Sequence, residues 1–351
     1  MMKSLIPVLT VILVLSCSRR TNNKDFFIFE PDIRLFTSYS FMNAAGYDHD
    51  WLDDMHPLRI EVRSFLDSIL SAEYKAKISQ YYSELGGGNF YGYGASALHL
   101  GYPPQFEVLC DTCKYEYLDK FDGYDSILRD FYIEAQIEKL WSLYRDQLEL
   151  TNLKYKPFAE IALKQITDYC KVDSDFYQKI AGNMHYQEIP LMSHWTAFFT
   201  EADDDYWIVR GPSTGDPGPD GFYHESLHRI INPIVEKNQS INQKIQELVP
   251  LSQEKLAGNY NNEVYLLCES FVRTIDKVLR ARYHEYPDSM LYEMVEDEYK
   301  LGHILCFFLL ENLPEYERCD LTLEEYYPKL ISNLNIKHEI NRWEVYWAKQ
   351  E

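Results

Sequence analysis

The spacing of apolar positions along this chain changes several times, and each change marks a boundary. From Leu5 to Leu15 the apolar run is almost unbroken. Phe26 to Ser40 reads as β-like stretches broken at Pro31, and Asn43 to Asp54 as a polar, turn-rich segment. From His56 to Leu70 and from Ala72 to Leu85 the apolar residues recur at helical spacing, which predicts two helices. Gly86-Gly87-Gly88 ends the second as a bend, and no Lys-Ser/Thr follows to make it a phosphate loop. Phe90 to Leu100 is small and aromatic, closed by Tyr102-Pro103-Pro104. From Tyr124 to about Ile180 the helical period returns, first through Ile127, Phe131, Leu140 and Trp141, then through Phe158, Ile161 and Ile166.

The pattern then switches. Tyr186 to Thr200 and Tyr206 to Arg210 are rich in aromatic and β-branched residues, with Glu201-Ala202-Asp203-Asp204-Asp205 between them. That predicts two strands joined by an acidic turn as a hairpin. Residues 211–221 hold three prolines and four glycines, so they form an irregular loop. Helical spacing dominates again from Ser240 to Leu310 and from Leu323 onward. The expected fold is a mainly helical α+β protein with a small antiparallel sheet. An N-terminal subdomain, residues 26–220, and a C-terminal one, residues 221–351, flank a cleft.

Composition adds limits. With Lys3 ahead of it, the first apolar run reads as a targeting segment too short to span a bilayer. It ends in Val14-Leu15-Ser16-Cys17, which resembles the lipobox of bacterial lipoproteins. The resemblance implies a signal peptide over residues 1–17, a lipid anchor on Cys17 and a polar tether over residues 18–25. The body is then expected to be exported and held at a membrane surface in the cell envelope. With 29 Tyr and 18 Phe the chain can fill a large core, and its net charge of −21 argues against nucleic acid and anionic lipid as partners. Six further cysteines, at 110, 113, 170, 268, 306 and 319, are free to pair in an exported protein. Cys110-Asp111-Thr112-Cys113 lacks a second such pair or nearby histidines, so it reads as a local disulfide or two thiols.

The candidate chemistry lies in His224-Glu225-Ser226-Leu227-His228. On a helix, with Asp220 placed to cap it, the two histidines project from one face. Two neutral imidazoles at this spacing can bind one Zn²⁺ at about 2.0–2.1 Å each. Glu225, rotated by about 100° from His224, can reach an attacking water and take its proton without competing for the metal. The extended motif with a third histidine is absent, because Ile231 and Ile234 stand at its positions. The third ligand must come from elsewhere. Glu269, flanked by Leu267, Cys268, Phe271 and Val272, is the choice, with Arg273 four residues on as its ion-pair partner; Glu263 and Asp276 are alternatives. The oxyanion donor is open among Tyr260, Tyr265, His284, Tyr286 and His303. The strands before the motif offer an edge to an extended peptide or a core hairpin.

HExxH followed by a helical Glu is similar to the gluzincin arrangement of zinc peptidases. The stretches His224 to His228 with Asn232-Pro233, Glu269 to Arg273 and, more loosely, Tyr93 to Leu100 also resemble a domain-of-unknown-function family of bacterial lipoproteins with zincin-like character. The resemblance implies a zincin-like fold with an active-site helix, Zn²⁺ on His224, His228 and Glu269, and Glu225 as general base acting on a peptide or protein substrate. The chain departs from gluzincins at Arg273, where an acidic residue is common, and in its longer spacing from His228 to Glu269. Two other functions remain open: a catalytically inactive binding lipoprotein on the same scaffold, and a zinc amidase acting on cell-wall peptide.

Overall fold

The computed structural model describes residues 26–350 apart from 48–54, 86, 110–119, 181, 195, 203 and 257–261. The signal segment with Cys17, the tether, Cys110, Cys113 and Tyr260 lie outside the described residues.

Two helical layers enclose one sheet. The first layer holds α1 (Ile33–Ala45), α2 (Pro57–Ile69), α3 (Ala72–Glu84), α4 (Phe90–Leu98), α5 (Tyr124–Glu134) and α6 (Ile137–Leu153). The second holds α7 (Lys156–Cys170), α8 (Phe176–Ile180), α9 (Asp220–Lys237), α10 (Gln239–Asn242), α11 (Val249–Gln253), α12 (Glu263–Tyr283), α13 (Asp288–Lys300), α14 (Cys306–Glu317), α15 (Leu323–Asn333) and α16 (Ile336–Trp347). The strands are β1 (Phe27–Ile28), β2 (Met184–Glu188), β3 (Ala197–Ala202) and β4 (Asp205–Arg210), in the order β1-β2-β4-β3. The period of two sorts their side chains between the layers: Trp207 and Val209 of β4 enter the first core, Tyr206 and Ile208 the second.

The sheet is mixed, not antiparallel as expected. β3 and β4 form the antiparallel hairpin, but β1 runs parallel to β2 and β2 parallel to β4. Parallel neighbours need long crossovers, here supplied between β1 and β2 by the whole first layer with α7 and α8, and no local pattern announces them. The stretch read as one strand from Tyr186 to Thr200 breaks after Glu188 and resumes at Ala197. The β-like reading of Phe26 to Ser40 holds only at Phe27–Ile28, since α1 begins at Ile33 with the Asp32 side chain accepting the Arg34 N–H at 2.8 Å. Nearly every side chain of α1 is buried, so it shows no polar stripe to betray its period.

Two glycines permit close approaches that shape the region near the cleft. A Cβ on Gly94 of α4 would lie 2.6 Å from the Phe198 ring of β3, and one on Gly211 would lie 1.7 Å from the Ser193 carbonyl oxygen. Among the described cysteines, Cys170, Cys268, Cys306 and Cys319 are free thiols. No helix among the described residues is long and apolar enough to cross a membrane.

Candidate metal centre

α9 starts at Asp220, the residue expected to cap it, so its N-cap falls one residue earlier. Pro219 occupies the N-cap position and no side chain caps the helix. The Asp220 carboxylate turns instead to α12, accepting from His284 Nε2 at 3.0 Å. Packing fixes the rest of α9: Phe222, Leu227, Ile230, Ile231 and Val235 are buried in the second core, and the backbone is tied by Tyr206 Oη donating to the Glu225 carbonyl at 2.7 Å and Tyr177 Oη to that of Ser226 at 2.8 Å.

With α9 so held, His224 and His228 turn to one side, their ring centroids 4.9 Å apart, and α12 packs against them. Asn262 begins α12, its side chain accepting the Tyr265 N–H at 3.0 Å. Two turns in, Glu269 reaches the histidines. The two Nε2 atoms are 3.3 Å apart, Glu269 Oε1 lies 3.5 Å from His228 Nε2, and Glu269 Oε2 lies 3.8 Å from His224 Nε2. A tetrahedral zinc with bonds of about 2.0–2.1 Å sets its ligand atoms about 3.3 Å apart. The two imidazole nitrogens stand at that spacing and the Glu269 carboxylate slightly beyond it, one oxygen facing each ring, so the residues fit the ion. Glu263 and Asp276 do not compete: the first opens α12, and the second is buried in pairs with Lys277 and Arg280.

The surroundings prepare each donor. His228 Nδ1 lies 3.0 Å from Asn232 Oδ1, a contact that suits the tautomer with its proton on Nδ1 and the Nε2 lone pair turned to a metal. Burial first, then the neighbouring His228 and Arg273, hold the His224 imidazole well below its ordinary pKa. Its ring is 26 % exposed, against 7 % for His228, so His224 forms the open side. Glu269 is steadied by Arg273 Nε at 3.0 Å, the partner expected four residues on.

Glu225 is the second carboxylate here, coming within 4.8 Å of ring nitrogens of both histidines. Both carboxylates therefore stand at the histidines, Glu269 with its oxygens 3.5 Å from His228 Nε2 and 3.8 Å from His224 Nε2. Burial, then repulsion from Glu269, pushes the Glu225 carboxyl up to about 8.

The centre opens into a cleft of about 580 Å³ walled by Phe90 and Tyr91 of α4, Phe198 and Phe199 of β3, and Val264 and Tyr265 of α12. β3 is an edge strand. Gly211 N–H donates to the Thr196 carbonyl at 2.8 Å, so by antiparallel alternation Ala197, Phe199 and Glu201 turn their backbone N–H and C=O away from β4. Phe199 also packs on His228, ring centroids 5.3 Å apart.

Of the oxyanion candidates among the described residues, Tyr265 lines this cleft. His284 and Tyr286 stack together at the far end of α12, and His303 is buried near Glu298. Sequence reasoning missed Tyr91 and the role of Asn232. The second had a readable signal, a polar side chain four residues beyond His228 on the same face. Comparison with protein-family models, curated proteins and solved structures gives no match to this chain, so the case for its chemistry rests on the geometry above.

Proposed function

We propose that the protein is a zinc-dependent metallohydrolase with a zincin-like site, acting on peptide bonds. The observation that carries this reading is the convergence of two imidazole nitrogens and one carboxylate at tetrahedral spacing, with a further carboxylate alongside and a cleft in front. Zinc held by His224, His228 and Glu269 would polarise the scissile carbonyl and bring the pKa of the attacking water towards about 7. Glu225 takes the proton from that water and delivers it to the leaving amine. The outward backbone groups of Ala197 and Phe199 pair with an extended substrate backbone and hold the scissile bond before Glu225. Tyr265, which lines the cleft, would be the donor to the developing oxyanion. The Cys17 motif supports export and a lipid anchor, which would put this cleft in the cell envelope.

The nearness of Glu225 to both histidines favours a second reading. If Glu225 closes the metal as a fourth ligand, the centre is structural and the protein is a binding lipoprotein. The experiment offers zinc-loaded protein a peptide library together with cell-wall peptides and reads cleavage by mass spectrometry. Cleavage by wild type, abolished in Glu225→Gln with zinc retained, supports a hydrolase, and the substrate cut separates peptidase from amidase. Zinc binding with no cleavage, and zinc lost in Glu225→Gln, supports the binding protein.

A further inference from the structure

α12 carries an unusual burden of charge for a helix packed in a core. Glu269, Arg273, Asp276 and Arg280 fall at spacings of three and four, with Lys277 next to Asp276, on neighbouring turns of one face. Their contacts form a line of alternating sign. Glu269 Oε2 accepts from Arg273 Nε at 3.0 Å, and Arg273 Nη1 donates to Glu298 Oε2 of α13 at 2.9 Å. Glu298 Oε1 pairs with Lys277 Nζ at 2.8 Å, and Lys277 lies 3.3 Å from Asp276 Oδ2. Asp276 pairs with Arg280 Nε at 2.8 Å. Arg280 Nη2 then donates to the backbone carbonyl of Asp220 at 3.2 Å, with the Asp220 carboxylate 3.8 Å from Nη1.

The two ends of the line explain its use. One end is Glu269, which supplies the carboxylate of the metal centre. The other is Asp220, the first residue of the helix that supplies both histidines. The line ties α12 to α13 through Glu298 and to the start of α9 through Arg280 and Asp220. Buried ion pairs are a poor source of raw stability, because desolvation of each charge offsets most of the attraction. Asp276 and Glu298 are 2 % and 9 % exposed, so that cost is present here. Apolar side chains would hold these helices together as well, but they would not dictate register to a fraction of an ångström.

We propose that Arg273 and Glu298 are positioning residues of the metal centre, with Lys277, Asp276 and Arg280 completing a line that sets α12 against α9. The inference rests on the zinc reading. Arg273 fixes Glu269 while Glu298 fixes Arg273, drawing its guanidinium between two carboxylates as only a planar fork allows. Without the fork, Glu269 gains rotamers that carry its oxygens away from the histidines.

The test uses the full chain as wild type, Arg273→Gln, Arg273→Lys and Glu298→Gln. Zinc affinity is measured by competition with a chromophoric chelator, melting temperature on the metal-free protein, and the absorption spectrum with Co²⁺ in place of zinc. Outer partners of metal ligands are typically worth about 10–100-fold in affinity. Arg273→Gln is expected to weaken zinc in that range and Glu298→Gln by about tenfold, each with an altered Co²⁺ spectrum. Arg273→Lys should fail to restore the wild-type value. A merely structural role would lower the metal-free melting temperature and leave the affinity of the folded protein intact. Affinity within about twofold of wild type in Arg273→Gln and Glu298→Gln overturns the inference. Should Arg273→Gln not fold, Glu298→Gln, isosteric and one step removed, decides the matter alone. Wild type that binds no zinc overturns the zinc reading itself, whereas tight zinc in every variant overturns this inference only.

Discussion

Replacing Glu225 with Gln removes a base while keeping the shape of the side chain, so its consequences separate cleanly. The side chain is 6 % exposed, and burial with the nearby Glu269 charge pushes its carboxyl up to about 8. In the metal-free protein at pH 7 it is therefore mostly protonated, and an amide replaces a neutral acid of equal size. The expected stability change is small, within about 1 kcal/mol. Zinc bound at the site would reverse the local electrostatics, because a dication beside Glu225 favours the carboxylate that the proposed catalysis needs. General base catalysis contributes about 10²–10⁴-fold, so the variant should lose about 2.7–5.5 kcal/mol of transition-state stabilisation in kcat with KM little changed. Bound zinc should be unaltered, since Nε2 of both histidines and the Glu269 carboxylate are untouched. Initial rates on a cleaved peptide, metal analysis and thermal melts on one preparation give all three quantities. A variant within a few-fold of wild-type kcat refutes the assignment of Glu225 as base. Loss of zinc from the variant refutes it differently, by making Glu225 a ligand.

Asn232→Ala should weaken zinc by about 10–100-fold, because the 3.0 Å contact that keeps the proton of His228 on Nδ1 is gone, while Asn232→Asp should retain tight binding; equal affinity in wild type and Asn232→Ala argues against the tautomer assignment. Gly211→Ala should cost more than about 2 kcal/mol in a urea melt, since its Cβ would fall 1.7 Å from a backbone oxygen, and a cost under about 0.5 kcal/mol contradicts the close approach. Acid should destabilise the metal-free protein in two overlapping steps. Burial, then the Arg273 charge, lowers His303 from 6.5 to about 3, so the unfolded chain binds that proton first and stability falls as pH drops from about 6.5 towards 3. Burial raises the Glu298 carboxyl, but Lys277 and Arg273 outweigh it and hold the group at about 2 against an ordinary 4.5. Its stabilisation is complete above about pH 4.5 and is lost as pH falls towards 2. In urea melts from pH 7 to pH 3, His303→Gln should flatten the upper step and Glu298→Gln the lower; unchanged slopes in both would remove the electrostatic account of α13.

How much of this was legible in the sequence depends on the range of the interactions. α2 and α3 have one wet face, so Leu58, Val62 and Leu66 or Ile78 and Tyr82 mark them plainly. α1 hides because it is buried all round and rich in Phe, Tyr, Ser and Thr, and only Asp32 after Pro31 signalled its start. α4 hides behind Gly92 and Gly94, whose places are set by the rings and hydroxyl packed against them. The parallel pairing of β1, β2 and β4 joins residues more than 150 apart in one case and cannot be read from any window. At the candidate site the two histidines are readable because four residues make one helical turn, and Glu269 because a carboxylate among apolar neighbours needs a partner. Arg273 was readable by the same turn. Glu298 was not, since it comes from another helix and nothing in its own neighbourhood points to α12. The place of Asp220 was misread for a related reason: a local rule made it a cap, and a long-range pairing with Arg280 and His284 took it instead.

The central claim is that His224, His228 and Glu269 hold one zinc ion and Glu225 does not. Its most direct test is the zinc content of purified wild type, His228→Ala, Glu269→Ala and Glu225→Gln after exposure to zinc and gel filtration. The account predicts about one zinc per chain in wild type and Glu225→Gln, and little in His228→Ala and Glu269→Ala. Zinc absent from wild type, retained in Glu269→Ala, or lost from Glu225→Gln would contradict it.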